Sequence, residues 1–71
     1  MSNTQAIKAL MAVCNVIVEA VEEIGKPGLP AGHLYATLMG IGCSLEQFDM
    51  MIGVLVQSGK IRKEGHLLLP A

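Results

Sequence analysis

Between Thr4 and Ile24 the chain contains neither Gly nor Pro, and its polar positions are tightly grouped. Placed at 100° per residue, Gln5, Lys8, Asn15, Glu19, Glu22 and Glu23 share one arc of about 100°. Ile7, Leu10, Val13, Cys14, Val16, Ile17, Val18, Ala20, Val21 and Ile24 occupy the remainder. The pattern predicts a first helix over about residues 4–24, with Ser2, Asn3 and Thr4 offering N-cap oxygens and Gly25 the C-terminal stop. A helix covered on one side needs an apolar stripe of somewhat over 100°, and this one is more than twice as wide. It therefore requires a second partner surface. A domain wrapping both sides would supply one, but the other residues are few for that task. A symmetric homodimer through helix one is the expectation.

The stretch GKPGLPAG, residues 25–32, interrupts the helical pattern, with Leu29 between two prolines suited to a short extended segment. HLYATLM then sets Leu34, Tyr35, Leu38 and Met39 on one face of a second helix, about residues 31–40, and GIGCS breaks it. Ser44 followed by Gln47 three positions later is a capping box, so a third helix runs over about 45–58, with Gly59 as its left-handed cap and Lys60 near the negative end of its dipole. On the wheel Leu45, Phe48, Met51, Ile52, Leu55 and Val56 face the core. Glu46, Asp49, Met50, Gly53, Val54 and Gln57 face outward. From Lys60 to Leu69 the chain reads as a β-hairpin that alternates Ile61 against Arg62, turns at Lys63-Glu64-Gly65, and returns with Leu67 and Leu69 on one face.

Composition narrows the possibilities. Seventy-one residues make a single domain with a small core, a size at which a partner subunit, a metal or disulfides commonly add stability. Cys14 and Cys43 lack zinc-ligand spacing, and neither His33 nor His66 completes a set, so no metal site and no cofactor is expected. MSNTQ opens without a basic stretch leading into an apolar core, which argues against secretion and for a reducing cytoplasm. Lys8, Asn15 and Glu19 break the first helix well short of a membrane span. Five basic residues against six acidic give a net charge of −1, so nucleic-acid affinity has to come from a local patch. No Gly-rich phosphate loop, no H-E-x-x-H and no nucleophile with a nearby base is present, so catalysis is not expected.

The segment GLPAGHLYATLMGIGCSLEQFDMMIGVLVQSGKIRKEGHLLL, about residues 28–69, resembles the strand, second helix, turn, recognition helix and wing of winged helix-turn-helix domains. Leu34, Leu38, Ile52, Leu55 and Ile61 stand where that family keeps its core. SGKI is similar to the family's passage from recognition helix to wing. The resemblance implies a mainly α (α+β) fold, three helices with a C-terminal β-hairpin wing over about 60–69, and DNA binding as a family tendency.

Against that tendency, the outward face of helix three carries two carboxylates and no cation, where readers of the major groove use Arg or Lys. Gln47 and Gln57 have the chemistry to pair with adenine, but Gln47 also closes the capping box and Gln57 suits an ordinary solvated position. The local cations are Lys60, Arg62 and Lys63 on the wing, with His66 nearby, and a dimer would double them. The same residues equally suit the protection of an exposed strand edge. Met50 and Val54 flank the small Gly53 and offer a protein partner a close approach. His33 and Tyr35, near the start of helix two, suit a partly exposed position and a core position with a surface hydroxyl. The sequence thus reads as a small DNA-binding or transcription-associated regulator with contacts to double-stranded DNA led by the wing cations. The alternative is a winged helix used as a protein-interaction or assembly module through Met50, Gly53 and Val54.

Overall fold

The computed structural model describes the backbone of residues 3–71 and the side chains of Gln5 and of residues 7–71. Its elements run α1 (Asn3–Ile24), β1 (Leu29–Pro30), α2 (Ala31–Met39), α3 (Leu45–Gln57), β2 (Ile61–Glu64) and β3 (Leu67–Pro70). This is the three-helix winged helix-turn-helix arrangement with a C-terminal hairpin. Of the expected caps of α1, Ser2 lies outside the described residues, and Asn3 and Thr4 already belong to the helix.

Both ends of α3 close as their residues dictate. The Gln47 amide donates to Ser44 Oγ at 3.1 Å while the Ser44 amide donates to Gln47 Oε1 at 3.0 Å, which satisfies two of the helix's orphan N–H groups. At the other end Gly59 takes a positive φ of 76°. Its amide then reaches the Val56 carbonyl at 3.1 Å and the Lys60 amide reaches that of Leu55 at 2.9 Å, a Schellman closure.

The three strands form an antiparallel sheet in the order β1-β3-β2, with Leu29 opposite Leu68 and Lys63 opposite Leu68 on its other side. The hairpin turn is Gly65-His66, one position later than the sequence suggests, since Lys63 and Glu64 are paired in β2. Gly65 supplies the positive φ that a two-residue loop needs at its first position. Leu67 and Leu69 do share a face, and Leu69 is buried on it while Leu67 is half-buried; the main core cluster lies on the other side, where Leu68, in the central strand, is wholly inaccessible. Gly28 enters β1 with φ 117°, and a Cβ there would stand 3.1 Å from Leu67 Cβ and 3.3 Å from the Leu68 carbonyl oxygen. Only glycine lets the chain pass this close to β3.

Ile17, Val21, Leu29, Leu34, Leu38, Phe48, Met51, Ile52, Leu55, Ile61 and Leu68 form the core. Three positions on the apolar arcs of the helices depart from expectation: Met39, Leu45 and Val56 are exposed, because no neighbouring element reaches past the helix ends and flanks where they sit. Tyr35 is partly buried with its ring 5.4 Å from that of Phe48. The second half of α1 lies against β3 and β1 and buries Ile17 and Val21 completely. Its first half is less covered, leaving Ile7 and Met11 more than half exposed. A helix of this length measures about 33 Å, so α1 has to run along the longest of the molecule's dimensions, 39 × 24 × 19 Å. No helix of the described residues is long and apolar enough to cross a membrane.

Candidate functional site

The strand period decides how the wing meets α3. Ile61 points into the core, so Lys63, two positions on, lies on the same side and beside α3, whereas Arg62 and Glu64 lie on the opposite face. Arg62 is engaged there: its Nη1 reaches Glu64 Oε2 at 3.1 Å and its Nε donates to the Pro70 carbonyl at 3.2 Å. The expected trio of cations is therefore divided. Lys60 follows the Schellman turn, Lys63 faces α3, and Arg62 belongs to the back of the hairpin with its charge matched.

Lys63 helps to form an open groove with Ala31 and the α3 residues Phe48, Asp49, Ile52, Gly53, Val56 and Gln57. Asp49 and Lys63 bring opposite charges to its two walls. Neither has an ion-pair partner, since the single salt bridge among the described residues is that of Arg62 with Glu64. Gly53 stands between Asp49 and Gln57, one turn from each, and a Cβ placed on it would meet nothing within 4 Å. Met50 and Val54 are about half exposed next to it, though outside the groove lining.

The two candidate glutamines are separated by the length of the helix. Gln57 joins the groove, whereas Gln47 is held in the capping box some 15 Å away at the N-terminal end. Gln47 instead lines a cleft of about 210 Å³ with Leu10 and Val13 of α1, Ile41 and Cys43 of the α2–α3 turn, and Met51. Ile41 is the most exposed large apolar residue of the described chain, at 72%. The sequence carries a sign of it, since an isoleucine between Gly40 and Gly42 in a turn has no helix face to join. Asp49, Val56 and Ala31 were not expected around the groove, because their proximity to Lys63 depends on how β2 packs on α3.

His33 is exposed and its carbonyl accepts from Thr37 Oγ1 at 3.2 Å. Cys14 and Cys43 are free thiols, partly buried, and desolvation pushes the Cys14 thiol above its usual range. Among the described residues no three His, Cys, Asp or Glu side chains gather where they could hold a metal ion. No protein-family model, no curated protein and no solved structure matches this chain.

Proposed function

We propose that this chain is a protein-interaction module of the reducing cytoplasm, a winged helix that docks a partner on the outward face of α3 and in the groove between α3 and the wing. The observation that carries this reading is the free volume over Gly53 in the middle of that face, walled by Asp49, Gln57 and Lys63. A partner backbone or small side chain can approach the helix axis there, with Met50 and Val54 adding apolar contact beside it. The unpaired Asp49 and Lys63 supply polar ends for orientation, the usual division of labour in an interface with an apolar centre. We assign the chain no catalysis.

The test is to fill the space. Leucine is a good helix former, so Gly53→Leu keeps α3 intact while it occupies the groove floor. The variant should show an undiminished helical signal and lose the partner that tagged wild-type protein retains from native extract. Gly32→Leu, at an exposed site with equally open surroundings at the start of α2, should retain that partner. Undisturbed retention by Gly53→Leu would refute the proposal.

Placement of Lys63 beside Gln57 favours a second reading, in which the groove side of the wing contacts double-stranded DNA and the chain acts as a transcription regulator. With Arg62 turned away, only Lys60 and Lys63 remain per copy, so a dimer neutralises about four phosphates and log K against log salt should have a slope near −3.6. Absence of duplex binding at low salt, or binding unchanged in Lys60→Ala/Lys63→Ala, rejects this reading.

A further inference from the structure

We infer that two copies of this chain pair through α1 in antiparallel orientation, along a seam made of Ile7, Met11, Cys14 and Val18. These positions are spaced four, three and four apart, the spacing that keeps side chains in line when two helices pack with a shallow crossing, and on the wheel they span about 60°. Ile7 and Met11 are 56% and 60% exposed, and Cys14 and Val18 are only partly covered by the chain's own core. The seam is thus open along its length and most exposed in the first half of α1.

Charge sets the direction. One flank of the seam carries Lys8 in the first half of α1 and Asn15, Glu19 and Glu22 after it, all exposed. Among the described residues neither Lys8 nor either glutamate has a hydrogen-bond or ion-pair partner. In a parallel pair the two-fold axis runs along the helices and sets these flanks on opposite sides of the dimer, so Lys8 would meet neither glutamate of the second copy. An antiparallel pair that sets Ile7 opposite Val18 of the second copy, and Met11 opposite Cys14, brings Lys8 within a turn of Glu19 of the second copy, and symmetry repeats the contact.

The other apolar side of α1, with Ala9, Val13 and Val16, is a weaker claimant because it lines clefts shared with Ile41 of the same chain, which stands beside it and obstructs a straight helix-to-helix approach. A stable dimer buries roughly 800 Å² per copy, which is about a sixth of this chain's 4874 Å². One helix seam with its flanks reaches the lower end of that range, so association is expected at tens of micromolar. This pairing uses α1 alone and stands whether or not α3 holds a partner.

Sedimentation and cross-linking of the full chain test it. In a Cys43→Ser background, Met11→Cys should form, under mild oxidation, a bond between the introduced sulfur and Cys14 of the second copy, mapped by mass spectrometry. Bonds of position 11 to itself and of Cys14 to itself would mean parallel helices and overturn the orientation. Lys8→Glu should weaken the dimer about tenfold, and adding Glu19→Lys should restore it. Met11 is exposed in one copy, so Met11→Glu should give a folded monomer. A wild-type monomer at tens of micromolar overturns the inference, as does a dimer that survives Met11→Glu and is lost on Ile41→Asp.

Discussion

Gly53→Ala tests a glycine in the middle of a helix with open space around it. The residue lies in the middle of α3, its φ is not positive, and an added methyl would meet no atom within 4 Å. No packing term opposes the change. What remains is the backbone entropy that glycine loses on folding and alanine does not, worth about 0.8–1 kcal/mol at a helix interior. For a domain of 60–100 residues, 1 kcal/mol moves the melting midpoint by about 4–8 °C. Thermal unfolding followed by circular dichroism at 222 nm should therefore give a midpoint higher by several degrees. An unchanged or lower midpoint would mean that α3 bends at Gly53 or that another part of the chain covers it, and the open groove would then be wrong. The same variant also bears on function. If the glycine is kept for a docked partner, Gly53→Ala should strengthen the fold and weaken the complex, a trade between stability and binding that a merely solvated position would not show.

Gly28→Ala should act in the opposite direction. It forces a side chain onto a φ of 117° and onto a strand that cannot retreat, at a cost of about 2–4 kcal/mol, so the urea midpoint should fall to a small fraction of the wild-type value. Ser44→Ala removes the acceptor for the Gln47 amide and should lower stability by about 0.5–2 kcal/mol in the same assay, whereas Ser44→Asp, which keeps a capping oxygen, should retain most of it. Burial raises the Cys14 thiol, so its protonated form is favoured by the fold: this contribution is complete below the ordinary thiol value of about 8.5 and is lost as pH rises through the higher folded value. The urea midpoint of Cys43→Ser should then fall more steeply above that pH than that of Cys14→Ala/Cys43→Ser, and Cys14 should react with a thiol reagent at neutral pH more slowly than a small free thiol.

The elements were legible wherever a local interaction specifies them. Ser44 with Gln47, Gly59 with Lys60, and Gly25 fix helix ends through hydrogen bonds between near neighbours, and those boundaries agree with the sequence to within a residue or two. The apolar arcs named the right core residues in Leu34, Leu38, Ile52 and Leu55, and strand alternation with the winged-helix resemblance named Ile61, because these faces meet other elements. Leu45 and Val56 share the arc and stay exposed, since a wheel records direction and not whether anything lies in that direction. The same limit hid Leu68. Three consecutive leucines have no alternation to read, and only the place of β3 between β1 and β2 makes the middle one the most deeply buried and the one that joins the core cluster, with Leu69 covered as well. For the candidate site, Gly53 with its outward neighbours was legible from the helix period, whereas the separation of Arg62 from Lys63 rests on the pairing of β2 with β3 and its packing on α3.

That pairing shows how little separates the two functional readings. Gly65 starts a two-residue turn, the turn fixes Glu64 opposite Leu67, and the period of the strand then sends Ile61 and Lys63 toward α3 and Arg62 and Glu64 away. A slip of one residue would expose Ile61, which is why the register is held. It would also bring Arg62 and Glu64 to the groove in place of Lys63. The native register instead spends the wing's only guanidinium on Glu64 and the Pro70 carbonyl at the back of the hairpin, and leaves a single flexible ammonium beside an acidic helix face. A point charge on a mobile stem, opposite Asp49 and above Gly53, suits the rim of a protein contact better than the fork a nucleic acid's guanines would demand.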